Sequence, residues 1–220
     1  MDIEIKNISE RFLADLNILL ESADKKLPDI GLLWHSKNVA TYSQMIYENL
    51  PDYEKKEWRI PGTEEVIESS WIYKCGYYHD IGKTIIMRFH EGMLEKEFWD
   101  AVDRVNIKEH TSFGCITLQI IAAATGNLAD IDTPLFKMMS DACLYHHERM
   151  DGSGYMKMSG IHIPKISSLV AVADCFSAGL ETRPYKEHKA AALLLRELKE
   201  LPLNQIYVNA LEKGILLSYS

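Results

Sequence analysis

The chain has 220 residues, enough for one well-filled core and short for two, so one domain with terminal additions is expected. A formal net charge of -8 argues against broad binding of polymeric nucleic acid, which needs a basic surface. With 47% hydrophobic and 25% charged residues, and no apolar run of about 18 residues, the chain reads as an ordinary globular protein without a membrane-spanning helix. The acidic start, Met1-Asp2-Ile3-Glu4, has no apolar core of a signal peptide, and the cytoplasm is the default expectation. Cys75, Cys115, Cys143 and Cys175 are widely spaced and form no C-x-x-C pair, so reduced thiols are expected rather than a disulfide frame.

In chain order, residues 3–26 carry Ile5, Ile8, Phe12, Leu16 and Leu19 at helical spacing. This helix, within a segment 1–27, is read as a packing helix or as a contact for a homodimer; the rest, 28–220, is read as the functional domain. A second helix spans about 32–50, and His35 shares its inward stripe with Val39, Tyr42 and Ile46. Residues 51–62 read as an exposed polar connection. Thr63 is a plausible N-cap for a third helix that continues to His79, with Ile72, Cys75 and His79 on one stripe. Asp80, Ile81, Gly82 and Lys83 follow, and 84–92 reads as an irregular link.

Further helices are expected at 95–105 and at 109–125, the latter with His110 in its first turn and Gly126 just past its end. The next opens on Thr133 and Pro134 and runs down a core stripe to His146 and His147. A Gly-rich turn, Asp151-Gly152-Ser153-Gly154-Tyr155, follows. A helix at 166–180 places Asp174 in an apolar run, and helices at 187–200 and 203–214 close the chain. No strand alternation and no repeat is evident, so the expected fold class is all-α.

His35, the His79-Asp80 pair, His110, the His146-His147 pair and Asp174 thus fall on inward stripes or at helix ends of five segments. Histidine and carboxylate are ligands of first-row metals, and a cation is one of few ways to satisfy a buried carboxylate such as Asp174. Seven side chains are too many for one tetrahedral zinc and suit two metals sharing a carboxylate, for which Asp80 is the natural bridge. His90, His162 and His188 lie in polar contexts and read as surface residues.

These residues resemble the HD superfamily of metal-dependent phosphohydrolases, and within it the HD-GYP group. The resemblance spans roughly 28–215. It rests on His79-Asp80-Ile81-Gly82-Lys83, His110-Thr111-x-x-Gly114, His146-His147-Glu148-x-x-Asp151-Gly152-x-Gly154-Tyr155, Val172-Ala173-Asp174-x-Phe176 and Arg183-Pro184-Tyr185-Lys186. It implies an HD-type helical bundle with a binuclear metal site in its core. It also implies hydrolysis of cyclic di-GMP to pGpG or GMP by a metal-bridging hydroxide. One metal ion would take His35, His79, Asp80 and Asp174; the other would share Asp80 and add His110, His146 and His147. Asp80 and Lys83 would act in catalysis, and Lys83, Tyr155, Arg183 and Lys186 would contact the substrate. Glu148 and Asp151 are read as outer-shell and turn-forming, since a carboxylate often orients a ligating histidine. The cofactors implied are two divalent transition ions, Fe or Mn before Zn or Ni.

Four positions depart from the group's pattern: Met156 replaces a final proline, Ser177 an aspartate, Ser168 an arginine, and Gly31 stands where some members carry a glutamate for a third metal. The loop at Met156 is also the one the resemblance associates with cyclase or adaptor partners. Metal ligands report the reaction and not the base. Cyclic GMP-AMP or a nucleoside phosphate therefore stays open as substrate, as does a non-catalytic module that binds a cyclic dinucleotide or a partner.

Overall fold

The computed structural model describes residues 8–26, 30–89, 100–126, 128–181 and 190–219. Their α-helices are α1 (Glu10–Lys26), α2 (Leu32–Glu48), α3 (Asp52–Lys55), α4 (Ser69–Tyr78), α5 (Lys83–Phe89), α6 (Ala101–Asn106), α7 (His110–Ala124), α8 (Pro134–Tyr145), α9 (Lys165–Leu180), α10 (Ala191–Glu200) and α11 (Gln205–Leu217). Among them none is long and apolar enough to cross a membrane. The fold class is all-α, as the helical periodicity predicts.

Helix α9 is buried almost all round and forms the axis, with α2, α8 and α10 against it; α2 also packs on α4 and α11, and α7 on α8. The signals read for α8 are realised: Thr133 Oγ1 accepts the Phe136 N–H at 3.2 Å, and Pro134 takes the first position, where no N–H is needed. Asp100 and Asp103 form a capping box on α6, while 95–99, expected to begin this helix, lie outside the described residues.

Helix α1 is capped by Ser9, whose Oγ accepts the Phe12 N–H and donates to Asp130 at 2.8 Å. Phe12, Leu16 and Leu20 of its apolar stripe are fully buried in the main cluster, and the Phe12 ring centroid lies 5.7 Å from that of Phe136. A homodimer contact through this helix would therefore use its outer face, where Ile18 is exposed. Phe12→Ala is expected to cost about 3–5 kcal/mol of stability through lost burial and a residual cavity. A urea-unfolding midpoint equal to the parent's would show that α1 is not part of the cooperative core.

Three expected elements differ. The third helix begins at Ser69 rather than near Thr63, and 51–62 is not simply an exposed connection. Ile60-Pro61-Gly62-Thr63 forms a tight turn, with the Thr63 N–H on Ile60 O at 3.0 Å and Gly62 at φ 80. It folds the chain back, so that Arg59 bridges Val66 and the Ile67 N–H reaches Trp58 O at 3.0 Å. Trp58, Ile60 and Ile67 are buried in the main core, Trp58 against Tyr47 of α2, and burying these apolar groups outweighs the local helix signal of Thr63-Glu64-Glu65. Within 84–92, the residues up to Phe89 continue from the turn as α5, where Ile86 is fully buried and packs with Ile107 and Phe113.

Candidate metal centre

His79 and Asp80 leave the end of α4 in a chain of tight turns: the Ile81 N–H bonds Tyr78 O, and the Lys83 N–H bonds Asp80 O. This turn lies directly on the first turn of α7. A Cβ at Gly82 would fall 2.0 Å from His110 O and 2.4 Å from Gly114 N; one at Gly114 would fall 2.9 Å from Cys143 Cβ on α8. Glycine at both positions lets the three backbones approach, which brings His110 and His146 beside Asp80.

The carboxylate of Asp80 is the centre. His110 Nε2 lies 3.2 Å and His146 Nε2 3.6 Å from Oδ1; His79 Nε2 lies 3.4 Å and His35 Nε2 3.6 Å from Oδ2, on which Lys83 Nζ also donates. Asp174 Oδ1 from α9 stands 3.2 Å from His35 Nε2. Candidate ligand atoms fall within 4.8 Å of one another in three groups: His110, His146 and His147; His35, His79 and Asp80; and His79, His146 and Asp174. All seven predicted ligands therefore meet in one place. Tyr155 also reaches it: its exposed ring packs on His147, with centroids 4.6 Å apart and Lys108 Nζ 5.1 Å away. Arg183 and Lys186 lie outside the described residues, as do His90 and His188; His162 is exposed, as expected.

The histidine tautomers follow from their other partners. Nδ1 of His79 faces Gly76 O at 2.7 Å, Nδ1 of His146 faces Ala142 O at 2.8 Å, and Nδ1 of His110 faces Ile107 O. A carbonyl only accepts, so each Nδ1 carries a hydrogen, which in the neutral ring leaves the lone pair on Nε2. Those lone pairs point at a carboxylate and at one another, with His110 Nε2 3.3 Å from His146 Nε2. Buried His79 Nε2 and Asp80 Oδ1 have no partner in hydrogen-bond geometry. Lone pairs facing lone pairs in a buried site repel unless a cation stands between them, so the donor set fits metal ions of the imidazole- and carboxylate-binding type.

Charge states agree. Burial pushes His147 down to about 3 and His146 well below its usual range, with neighbouring imidazoles adding to the effect, so both are neutral near pH 7. Burial opposes the charged form of Asp80, but Lys83 and His79 outweigh it and hold the carboxyl well below its ordinary value. Burial likewise opposes protonation of His35, yet Asp174 and Glu181 outweigh it and raise it to about 9.

Glu148 and Asp151 do not orient the histidines. Glu148 is buried and accepts the N–H groups of Met156 and Met158, each at 2.7 Å, while Asp151 is exposed and accepts the Ser153 N–H at 3.0 Å. The loop folds back so that its amides, not an imidazole, meet Glu148; a proline at 156 would lack the N–H that makes this bond. Among the described residues, backbone carbonyls hold His79, His110 and His146, and Glu181 holds His35. Glu181 Oε1 lies 2.5 Å from His35 Nδ1 and accepts from Ser177 Oγ at 3.0 Å. Sequence reasoning passed over Glu181; the one signal was its place seven residues after Asp174, on the same helix face. Arg149 was also missed: its guanidinium holds His146 O and Glu148 O, bracing the turn that carries the histidine pair.

Comparison with known proteins agrees with this geometry. The HD domain family model matches residues 32–179. A cyclic di-GMP phosphodiesterase of Thermotoga maritima is 33% identical over 127 residues, covering 56% of this chain and 30% of that protein. One of Vibrio cholerae is 27% identical over 200 residues, covering 87% and 37%. A 3'3'-cGAMP-specific phosphodiesterase of the same organism is 27% identical over 156 residues, covering 69% and 28%. The chain thus spans well under half the length of these relatives. Among solved structures, the HD domain of the L. monocytogenes phosphodiesterase PgpH, in complex with cyclic-di-AMP, aligns with a TM-score of 0.51 at 14% identity, covering 92% of this chain and 95% of that one, a likeness of fold. With the family model spanning helices α2 to α9 and every residue of the His-Asp cluster, the chain belongs to the HD domain family.

Proposed function

We propose that the chain is a metal-dependent phosphodiesterase that hydrolyses cyclic di-GMP to pGpG, GMP or both. The observation that carries this reading is the meeting of four imidazole Nε2 atoms and Asp174 around the buried Asp80 carboxylate, with the Lys83 ammonium at its solvent edge. His35, His79, Asp80 and Asp174 would hold one divalent ion; His110, His146 and His147, sharing Asp80, would hold a second. Two such ions, iron or manganese before zinc or nickel, supply Lewis acidity and an activated water when bound.

The chain's own residues account for the rest. The Lys83 side chain is 22% exposed and spends one N–H on Asp80, leaving donors for a phosphoryl oxygen at the mouth of the site. The Tyr155 ring, backed by His147, offers a flat face for a base. Arg183 and Lys186 remain the proposed contacts to the second phosphate. The relatives named for cyclic di-GMP support the substrate; those named for cGAMP favour a second reading, hydrolysis of cyclic GMP-AMP.

The test is to load the purified chain anaerobically with Fe(II) or Mn(II) and follow cyclic di-GMP by chromatography. Conversion to pGpG or GMP is expected. Turnover of cyclic GMP-AMP alone would move the assignment to the second reading, and dinucleotide binding without turnover under either metal would leave a binding module. Lys83→Ala is expected to lower turnover by about 10²-fold with metal content unchanged, the scale of losing one donor to a developing oxyanion. An unaltered rate would remove Lys83 from the chemistry.

A further inference from the structure

Three of the inward histidines are oriented by carbonyls of their own chain, three or four residues back. Such contacts come with the helix or turn itself. His35 differs: its Nδ1 is bonded 146 residues away, to Glu181 at the end of α9. Asp174, Ser177 and Glu181 lie at i, i+3 and i+7 of one α9 face, so this helix offers His35 a carboxylate on each ring nitrogen. The Ser177 hydroxyl donates to Glu181 Oε1 at 3.0 Å and itself stands 3.5 Å from His35 Nδ1, which steadies the buried carboxylate in place.

We infer that Glu181 is the positioning residue for His35, fixing the tautomer that turns Nε2 toward Asp80 and Asp174 and thereby governing retention of one of the two metal ions. This rests on the metal reading proposed above. A carboxylate is a stronger, charge-assisted acceptor than a carbonyl, so it holds the ring more firmly and makes Nε2 a better donor to a cation. The ion at His35, His79, Asp80 and Asp174 depends on this contact through His35, whereas at the other ion His110 and His146 are held by backbone carbonyls. Glu181 acts through the His35 imidazole, whose Nδ1 it holds.

The experiment uses the full metal-stripped chain, Mn(II) alone and a competing chelator in equilibrium dialysis. Glu181→Ala is expected to weaken one bound equivalent by about 10- to 100-fold and leave the other as in the parent. Glu181→Gln, which keeps an acceptor oxygen without the charge, is expected to lose less. Adding Ser177→Asp to Glu181→Ala places a carboxylate one turn earlier, near the same Nδ1, and is expected to recover most of the affinity. Unchanged affinity in Glu181→Ala, an equal loss at both ions, or no recovery in the double variant overturns the assignment. Should Glu181→Ala fail to fold, the double variant decides: a folded chain holding both ions supports it, and a folded chain with one ion still weakened overturns it. A parent that takes up no Mn(II) overturns the metal reading and this assignment with it.

Discussion

Asp80→Ala is expected to abolish turnover, by about 10³-fold or more, and to strip the chain of both metal ions while leaving it folded. The size of the effect follows from position. Asp80 is buried, and four imidazole Nε2 atoms and the Lys83 ammonium converge on its two oxygens. As the group shared by both proposed ions, it is the one side chain whose loss opens both coordination shells. Losing a single charge-stabilising donor already costs an enzyme about 10²–10³ in rate, and here the shared anion and the ions it retains go together. The fold should suffer less than the roughly 3–5 kcal/mol typical of breaking a buried ion pair. Lys83 is partly exposed and can swing to water. Asp80→Asn separates charge from volume and should lose metal equally. Elemental analysis, a rate assay and circular dichroism check the three parts; a full metal complement with a rate within tenfold of the parent would sink the bridging role.

Gly82→Ala is expected to be the most damaging single methyl addition at the site. The new carbon would meet His110 O at 2.0 Å and Gly114 N at 2.4 Å, both backbone atoms of α7 and neither the movable end of a side chain. Overpacking a core usually costs about 1–3 kcal/mol; with helix backbone as the obstacle the upper end or beyond applies. The turn must move away from α7, so His110 separates from Asp80 and metal retention falls with stability. Gly126→Ala is the control. There nothing lies within 4 Å, but φ is +74, so a loss of about 1 kcal/mol without change in metal content is expected. A Gly82→Ala melting curve matching the parent's would refute the close approach.

Much of the site was legible because its ligands sit on regular helices or directly past their ends. Helical periodicity alone turned His35, His79, His110, His146 and Asp174 toward a common interior, and every one is found there. The unread parts share a physical cause. The turn at 58–67 is set by burial of Trp58, Ile60 and Ile67 against other segments, which overrides a local helix signal. Glu148 was read as a partner of the histidines because it follows them in the chain, yet the loop's return presents it with Met156 and Met158 amides. Glu181 was passed over because its value depends on the register of α2 against α9.

The amino-acid sequence by itself determined the all-α class, the inward stripes and the ligand types, since each depends on spacing within one helix. Only the tertiary structure decided that Asp80 lies between the two halves of the cluster, and that His35 is held by a carboxylate where His79, His110 and His146 are held by carbonyls. Those features depend on contacts between helices far apart in the chain, fixed by close backbone approach at Gly82 and Gly114 and by packing around α9.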